Sequence, residues 1–136
     1  MPRAPLERVT RLAAAPLARV TAHGGRGRVG FRRLFRRAEF AAPVNFVDYA
    51  VVPPKGSIGR HRHGANEEIY LVLSGRGRMH RDGADFAVDP GSVVVNRPGG
   101  RHGLVNTGAR DLRLFVVEIA ARGAPPPARR SIRSRR

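Results

Sequence analysis

The 136-residue chain contains no cysteine. Disulfides and thiolate metal sites are therefore excluded, and the redox compartment is left open. Tryptophan is also absent, and lysine occurs once, at Lys55, against 25 arginines. So one-sided a choice is what a GC-rich genome produces, and it weakens a functional reading of any single arginine. No stretch approaches the roughly 20 apolar residues that a bilayer-spanning helix requires. Leu12-Ala13-Ala14-Ala15 is too short for a signal-peptide core and is interrupted by Pro16 and Arg19. These absences argue against a membrane span and an exported precursor, and a cytoplasmic protein is expected.

The formal net charge of +16 suggests nucleic acid until it is divided along the chain. Residues 1–44 carry ten arginines and two acids; residues 45–120 carry nine arginines and Lys55 against eight acids; residues 121–136 carry six arginines and no acid. The middle is nearly neutral and the charge lies at the ends. The arginines are not interleaved with aromatic stacking platforms, and no helix-turn-helix region is evident, so nucleic acid is not the expected partner.

What is present is a histidine pattern. In GSIGRHRHGANEEIYLVLSG, residues 56–75, His61 and His63 are two apart and share a face if the segment is a strand. Glu68 follows five residues later and heads the apolar run Ile69-Tyr70-Leu71-Val72-Leu73, whose β-branched and aromatic content and closing glycines favour a buried strand. A second stretch, GSVVVNRPGGRHGLVN at 91–106, adds His102 and then Asn106. Three imidazoles and one carboxylate, brought together by neighbouring strands, make a ligand set for a divalent transition metal.

These residues resemble the cupins. The family's first motif is a glycine, about five residues, His-x-His, three or four residues, Glu, six residues and Gly. Here it reads Gly56, four residues, His61-Arg62-His63, four residues, Glu68, six residues and Gly75. The second motif reads Gly91, five residues, Arg97-Pro98-Gly99, two residues, His102, three residues and Asn106. The departures are one residue in the first spacing and Arg97 where the motif has proline; neither touches a ligand. The resemblance spans about Val44 to Ala120. It implies an all-β fold, a double-stranded β-helix or jelly-roll-like barrel, with His61, His63, Glu68 and His102 holding one divalent metal. Iron(II) is the first choice, with manganese, nickel, zinc and copper as alternatives. It implies further that Asn106 holds a turn.

Four segments are expected: a disordered leader at 1–25, which a misplaced start codon would also explain; a packing or dimerisation segment at 26–43; the barrel at 44–120; and a disordered basic tail at 121–136. In the second segment, Phe31, Leu34, Phe35 and Ala38 recur at helical spacing opposite Arg32, Arg33, Arg36 and Arg37, whereas Val29, Phe31, Arg33 and Phe35 alternate as in a strand. An apolar side that covers the barrel or a partner subunit is preferred to a membrane or RNA contact. Within the barrel, Asn45–Val52 reads as a strand stopped by Pro53-Pro54. Asp82-Gly83 reads as a type I′ hairpin turn between Arg78–Arg81 and Ala84–Val88. Ser92–Asn96 and Leu112–Ile119 read as further strands.

Four ligands on a six-coordinate ion leave two positions for a bidentate substrate, or for a substrate and dioxygen. If Glu68 points to the metal, so does Tyr70, whose hydroxyl is a candidate proton donor or substrate anchor. Arg97 and Arg101 flank the His102 loop and favour an anionic, carboxylate-bearing substrate. His80 is a candidate for a supporting role beside the ligands. His23, in the leader, is not expected to be a ligand. The sequence therefore points to a homodimeric metal-binding protein with a small-molecule substrate. Dioxygenase-type chemistry comes first; isomerase, epimerase or decarboxylase chemistry, or non-catalytic binding and sensing, are the alternatives.

Overall fold

The computed structural model describes residues 9–123. The first eight residues of the leader and residues 124–136 of the tail, both expected to be disordered, lie outside the described residues. Among the described residues, ten strands form two antiparallel sheets. β1 (Ala18–Val20), β2 (Val29–Arg36), β3 (Val44–Val52), β10 (Leu112–Ala120), β5 (Asn66–Ser74) and β8 (Val93–Asn96) follow one another across the first sheet. The second has the order β4 (Ser57–Arg62), β9 (Arg101–Asn106), β6 (Gly77–Arg81) and β7 (Ala84–Val88). No helix among the described residues is long and apolar enough to cross a membrane.

Alternation along the strands builds the core. Glu68, Tyr70 and Val72 of β5 are buried while Glu67, Ile69 and Leu71 are less so, as a two-residue period requires. Leu112, Leu114 and Val116 enter from β10, Met79 from β6 and Leu104 from β9, and they close one cluster between the sheets. The turns behave as their residues dictate. Asp82 and Gly83 both have positive φ, at 49° and 84°, which is the type I′ geometry the Asp-Gly pair selects. Gly75 ends the first motif at φ 87°, and a Cβ there would lie 2.4 Å from the Asp111 carbonyl oxygen. Its glycine is thus required twice, by conformation and by space.

The leader corrects the expectation of disorder over residues 9–25. Ala18–Val20 pair with β2, Ala18 opposite Phe31 and Val20 opposite Val29, and Ala22 is 4% exposed within the core. A three-residue strand is too short to leave a periodic signature; its hold comes from contacts such as Leu17 over Gly30, where a Cβ would approach Leu17 Cδ1 to 2.8 Å. The ambiguous segment is a strand, not a helix: β2 has β1 on one side and β3 on the other, and a short 3-10 turn follows at Arg37–Glu39. Phe31 packs against the core, so the apolar side covers the barrel. Arg33 reaches both carboxylate oxygens of Asp48, at 3.0 and 3.2 Å, and lies over the Phe46 ring.

Candidate metal centre

Three strands and one loop deliver the site. β4 and β9 pair so that His61 stands opposite His102, with a register shift between Ile58 and His61 that re-aims the strand where the ligand pattern begins. His63 lies just past the end of β4, its backbone N–H donating to the Gly100 carbonyl at 2.9 Å. Glu68 comes from the inner face of β5, from the other sheet. One donor atom from each of His61, His63, Glu68 and His102 lies within 4.8 Å of the others.

The ring orientations are fixed from behind. His61 Nδ1–H donates to the Gly59 carbonyl at 2.8 Å, and His63 Nδ1–H donates to Asn66 Oδ1 at 2.6 Å. With these rings neutral, both Nε2 lone pairs face inward, the arrangement that supporting hydrogen bonds enforce at metal sites. His61 Nε2 and His63 Nε2 are 3.1 Å apart, and Glu68 Oε1 is 3.3 Å from His63 Nε2 and 3.4 Å from His102 Nε2. Donors held ~2.1 Å from one ion are separated by ~3.0 Å at right angles and by ~3.4 Å at the tetrahedral angle. The distances and the all-imidazole-and-carboxylate donor set fit a divalent transition metal.

Protonation agrees with that fit at Glu68 and His61, whereas at His63 a proton competes with the ion. Burial works against the Glu68 carboxylate, but hydrogen bonds from His102 and His63 outweigh it and hold the pKa at about 2. Glu68 is thus an anion at neutral pH. Burial, only partly offset by the bond to Gly59 and reinforced by the nearby His23, His102 and His63, pushes His61 down to about 4, so its ring is neutral. At His63 burial is overcome by the bond and charge of Glu68, and the pKa rises.

Tyr70 is brought to the cluster. It is 4% exposed, its hydroxyl lies 3.3 Å from His102 Nε2, and burial together with the Glu68 charge raises its pKa well above 10. Asn106 keeps to the backbone: Nδ2 donates to the Val52 and Arg110 carbonyls and Oδ1 accepts from Gly108 N–H. Arg97 and Arg101 are exposed. His80 is not brought to the cluster. Its neighbour Met79 takes the inward position on β6, so the His80 ring turns the other way and its Nδ1 meets Asp85 Oδ1 across the hairpin at 2.7 Å.

Three neighbours escaped the sequence reading. His23 stacks on His61, ring centroids 3.5 Å apart and 9° from parallel. Glu118 stands opposite Glu68 in the β5–β10 ladder, with Oε1 3.8 Å from His63 Nδ1, and burial followed by the Glu68 charge raises its pKa. Its signal was available, since Leu112, Leu114, Val116 and Glu118 fall on one face at period two. The third is Asn96, opposite Glu68 in the β5–β8 ladder.

Comparison with known proteins places this geometry. The family model for the cupin domain matches residues 48–118. An oxalate-binding protein of Thermotoga maritima is 32% identical over 96 residues, which cover 71% of this chain and 79% of the relative. A T. maritima crystal structure described as a predicted oxalate decarboxylase superposes with a TM-score of 0.80 at 30% identity, covering 82% of this chain and 98% of that one. A cupin 2 conserved barrel domain protein of Salinispora arenicola gives 0.67 at 28% identity, covering 84% and 89%.

Proposed function

The chain belongs to the cupin family, and on that premise we propose that it holds one divalent transition metal between His61, His63, Glu68 and His102 and uses it to bind a small carboxylate. The observation that carries this reading is the convergence of one ligand atom from each of three imidazoles and one ionised carboxylate within 4.8 Å. Iron(II) remains the first choice of ion, with manganese, nickel, zinc and copper as alternatives. When bound, such an ion supplies Lewis acidity and, if redox-active, access to dioxygen chemistry.

The ligand class follows from charge. Three neutral imidazoles and one carboxylate leave a dication with a residual charge of about +1, which a carboxylate neutralises. The oxalate-binding relative supports the same class. Tyr70, neutral and buried, offers a hydroxyl proton to a ligand oxygen. Arg97 and Arg101, both exposed and near His102 in the chain, supply positive potential for an arriving anion.

The test is titration calorimetry of metal-loaded protein with oxalate, beside the same titration of His61→Ala. Binding to the first and none to the second is expected. Carboxylate binding by protein shown to contain no metal overturns the reading. Dioxygenase-type turnover is tested by oxygen uptake with bound ligand; no uptake despite binding selects the non-catalytic alternative, which the oxalate-binding relative also supports.

A further inference from the structure

Asn96 is the last residue of β8, whose four residues alternate exposed, buried, exposed, buried. Val93 and Val95 face outward at 63% and 41% exposure, while Asn96 faces inward at 1%. Its Oδ1 and Nδ2 are both buried, and neither has a hydrogen-bond partner among the described residues. Folded chains leave very few buried amides in that state. The contrast with Asn106 is direct: that side chain is 3% exposed and makes three hydrogen bonds to backbone. Where this fold uses an asparagine structurally, it satisfies the amide.

Asn96 stands opposite Glu68 in the β5–β8 ladder, and Val94 stands opposite Tyr70. Directly paired residues of antiparallel strands project from the same face, with Cβ atoms roughly 5 Å apart. Asn96 thus leaves β8 on the same face as Glu68, two residues along the ladder from the Tyr70–Val94 pair.

We infer that Asn96 is a ligand-binding residue of the same pocket, its Nδ2–H donating to a carboxylate oxygen of the bound anion and its Oδ1 accepting from a donor on the adjacent carbon. The inference rests on the carboxylate reading above and narrows it. A carboxylate bearing a neighbouring N–H or O–H satisfies both amide atoms, whereas fully ionised oxalate, which offers acceptors alone, satisfies one.

The experiment compares wild type and Asn96→Leu, both loaded with manganese(II), by calorimetric titration with oxalate and with oxamate, alongside metal content and thermal unfolding. Leucine fills a similar volume without polar atoms, and removing an unpaired buried amide is expected to raise the melting temperature. The expected result is unchanged metal content, at least tenfold weaker oxalate binding, and a larger loss for oxamate, from which two hydrogen bonds are taken. Unchanged affinity for both ligands overturns the role of Asn96 and leaves the metal–carboxylate reading standing. Equal losses for the two overturn the acceptor half of the assignment. Wild-type protein that holds manganese yet binds neither anion overturns both readings.

Discussion

His23 lies flat against His61, ring on ring at 3.5 Å between centroids. The contact joins a residue from outside the matched cupin domain to a candidate ligand inside it. His23 sits at φ 50°, a left-handed conformation that histidine tolerates better than most side chains. Its backbone is seated closely on β4: a Cβ on Gly59 would come within 2.0 Å of the His23 carbonyl oxygen. Gly59 N–H also donates to the Ala22 carbonyl at 2.9 Å. Gly59 is the residue whose own carbonyl orients His61, so one short stretch of β4 couples leader and ligand.

Residues that orient a ligand without touching the ion commonly change metal affinity 10- to 100-fold. His23→Ala is therefore expected to weaken metal binding about tenfold, and His23→Phe, which keeps a flat ring over His61, to restore most of the loss. Competition titration against a chelating dye measures both. Equal affinity in all three proteins would assign the stack no role.

Acid should weaken the chelator-stripped protein through His61. Its folded pKa of about 4 lies below the ordinary value of 6.5, so between these limits the unfolded chain binds more protons and stability falls as pH drops. His63 acts oppositely. Its raised pKa contributes stability that is fully present below 6.5 and is lost as pH rises through the folded value. Replacing His61 by glutamine should flatten the decline between pH 6.5 and 4 in urea titrations; an unchanged slope would contradict the burial argument.

Leu114 is fully buried at the centre of the first sheet. Leu114→Ala should cost about 2–5 kcal/mol from lost transfer energy and the cavity left behind. Metal stoichiometry should stay at wild-type level wherever the variant is folded. Chemical denaturation with parallel metal analysis separates the two effects, and a cost below about 1 kcal/mol would show that this part of the core is loosely packed.

Asn106 connects β9 to the Val52 and Arg110 carbonyls. Asn106→Ala leaves the buried Val52 carbonyl and the part-buried Arg110 carbonyl without this donor and should destabilise by about 1–3 kcal/mol, the cost of one buried group left unpaired. Urea titration reads it. A loss of ligand binding at unchanged stability would contradict the turn-holding role.

Much of the barrel could be read from the chain because strands of five to nine residues with inward side chains at every second position carry their own signature. The Asp-Gly turn and the two proline stops then fixed where they end. His61, His63, Glu68 and His102 were identifiable because their spacing matches a family pattern that a geometric requirement maintains. Apart from Glu118, which shares the period-two face of Leu112, Leu114 and Val116, what escaped had no local signal. β1 is three residues long and is held by its partner strand and by Leu17 over Gly30. The helical spacing of Phe31, Leu34 and Phe35 was outweighed by ladder bonds from both neighbours of β2. His23 reaches the centre only through the close seating of 22–25 on Gly59, which no spacing along the chain encodes. His80 looked available one strand away, but strand parity turns it outward to Asp85.

Binding of a single ion by three histidines and one glutamate is read from elemental analysis of the purified protein. About one transition-metal ion per chain is expected in wild type, and less than about a tenth of that in folded His61→Ala and His102→Ala variants. Metal retained at wild-type stoichiometry in those variants would contradict it.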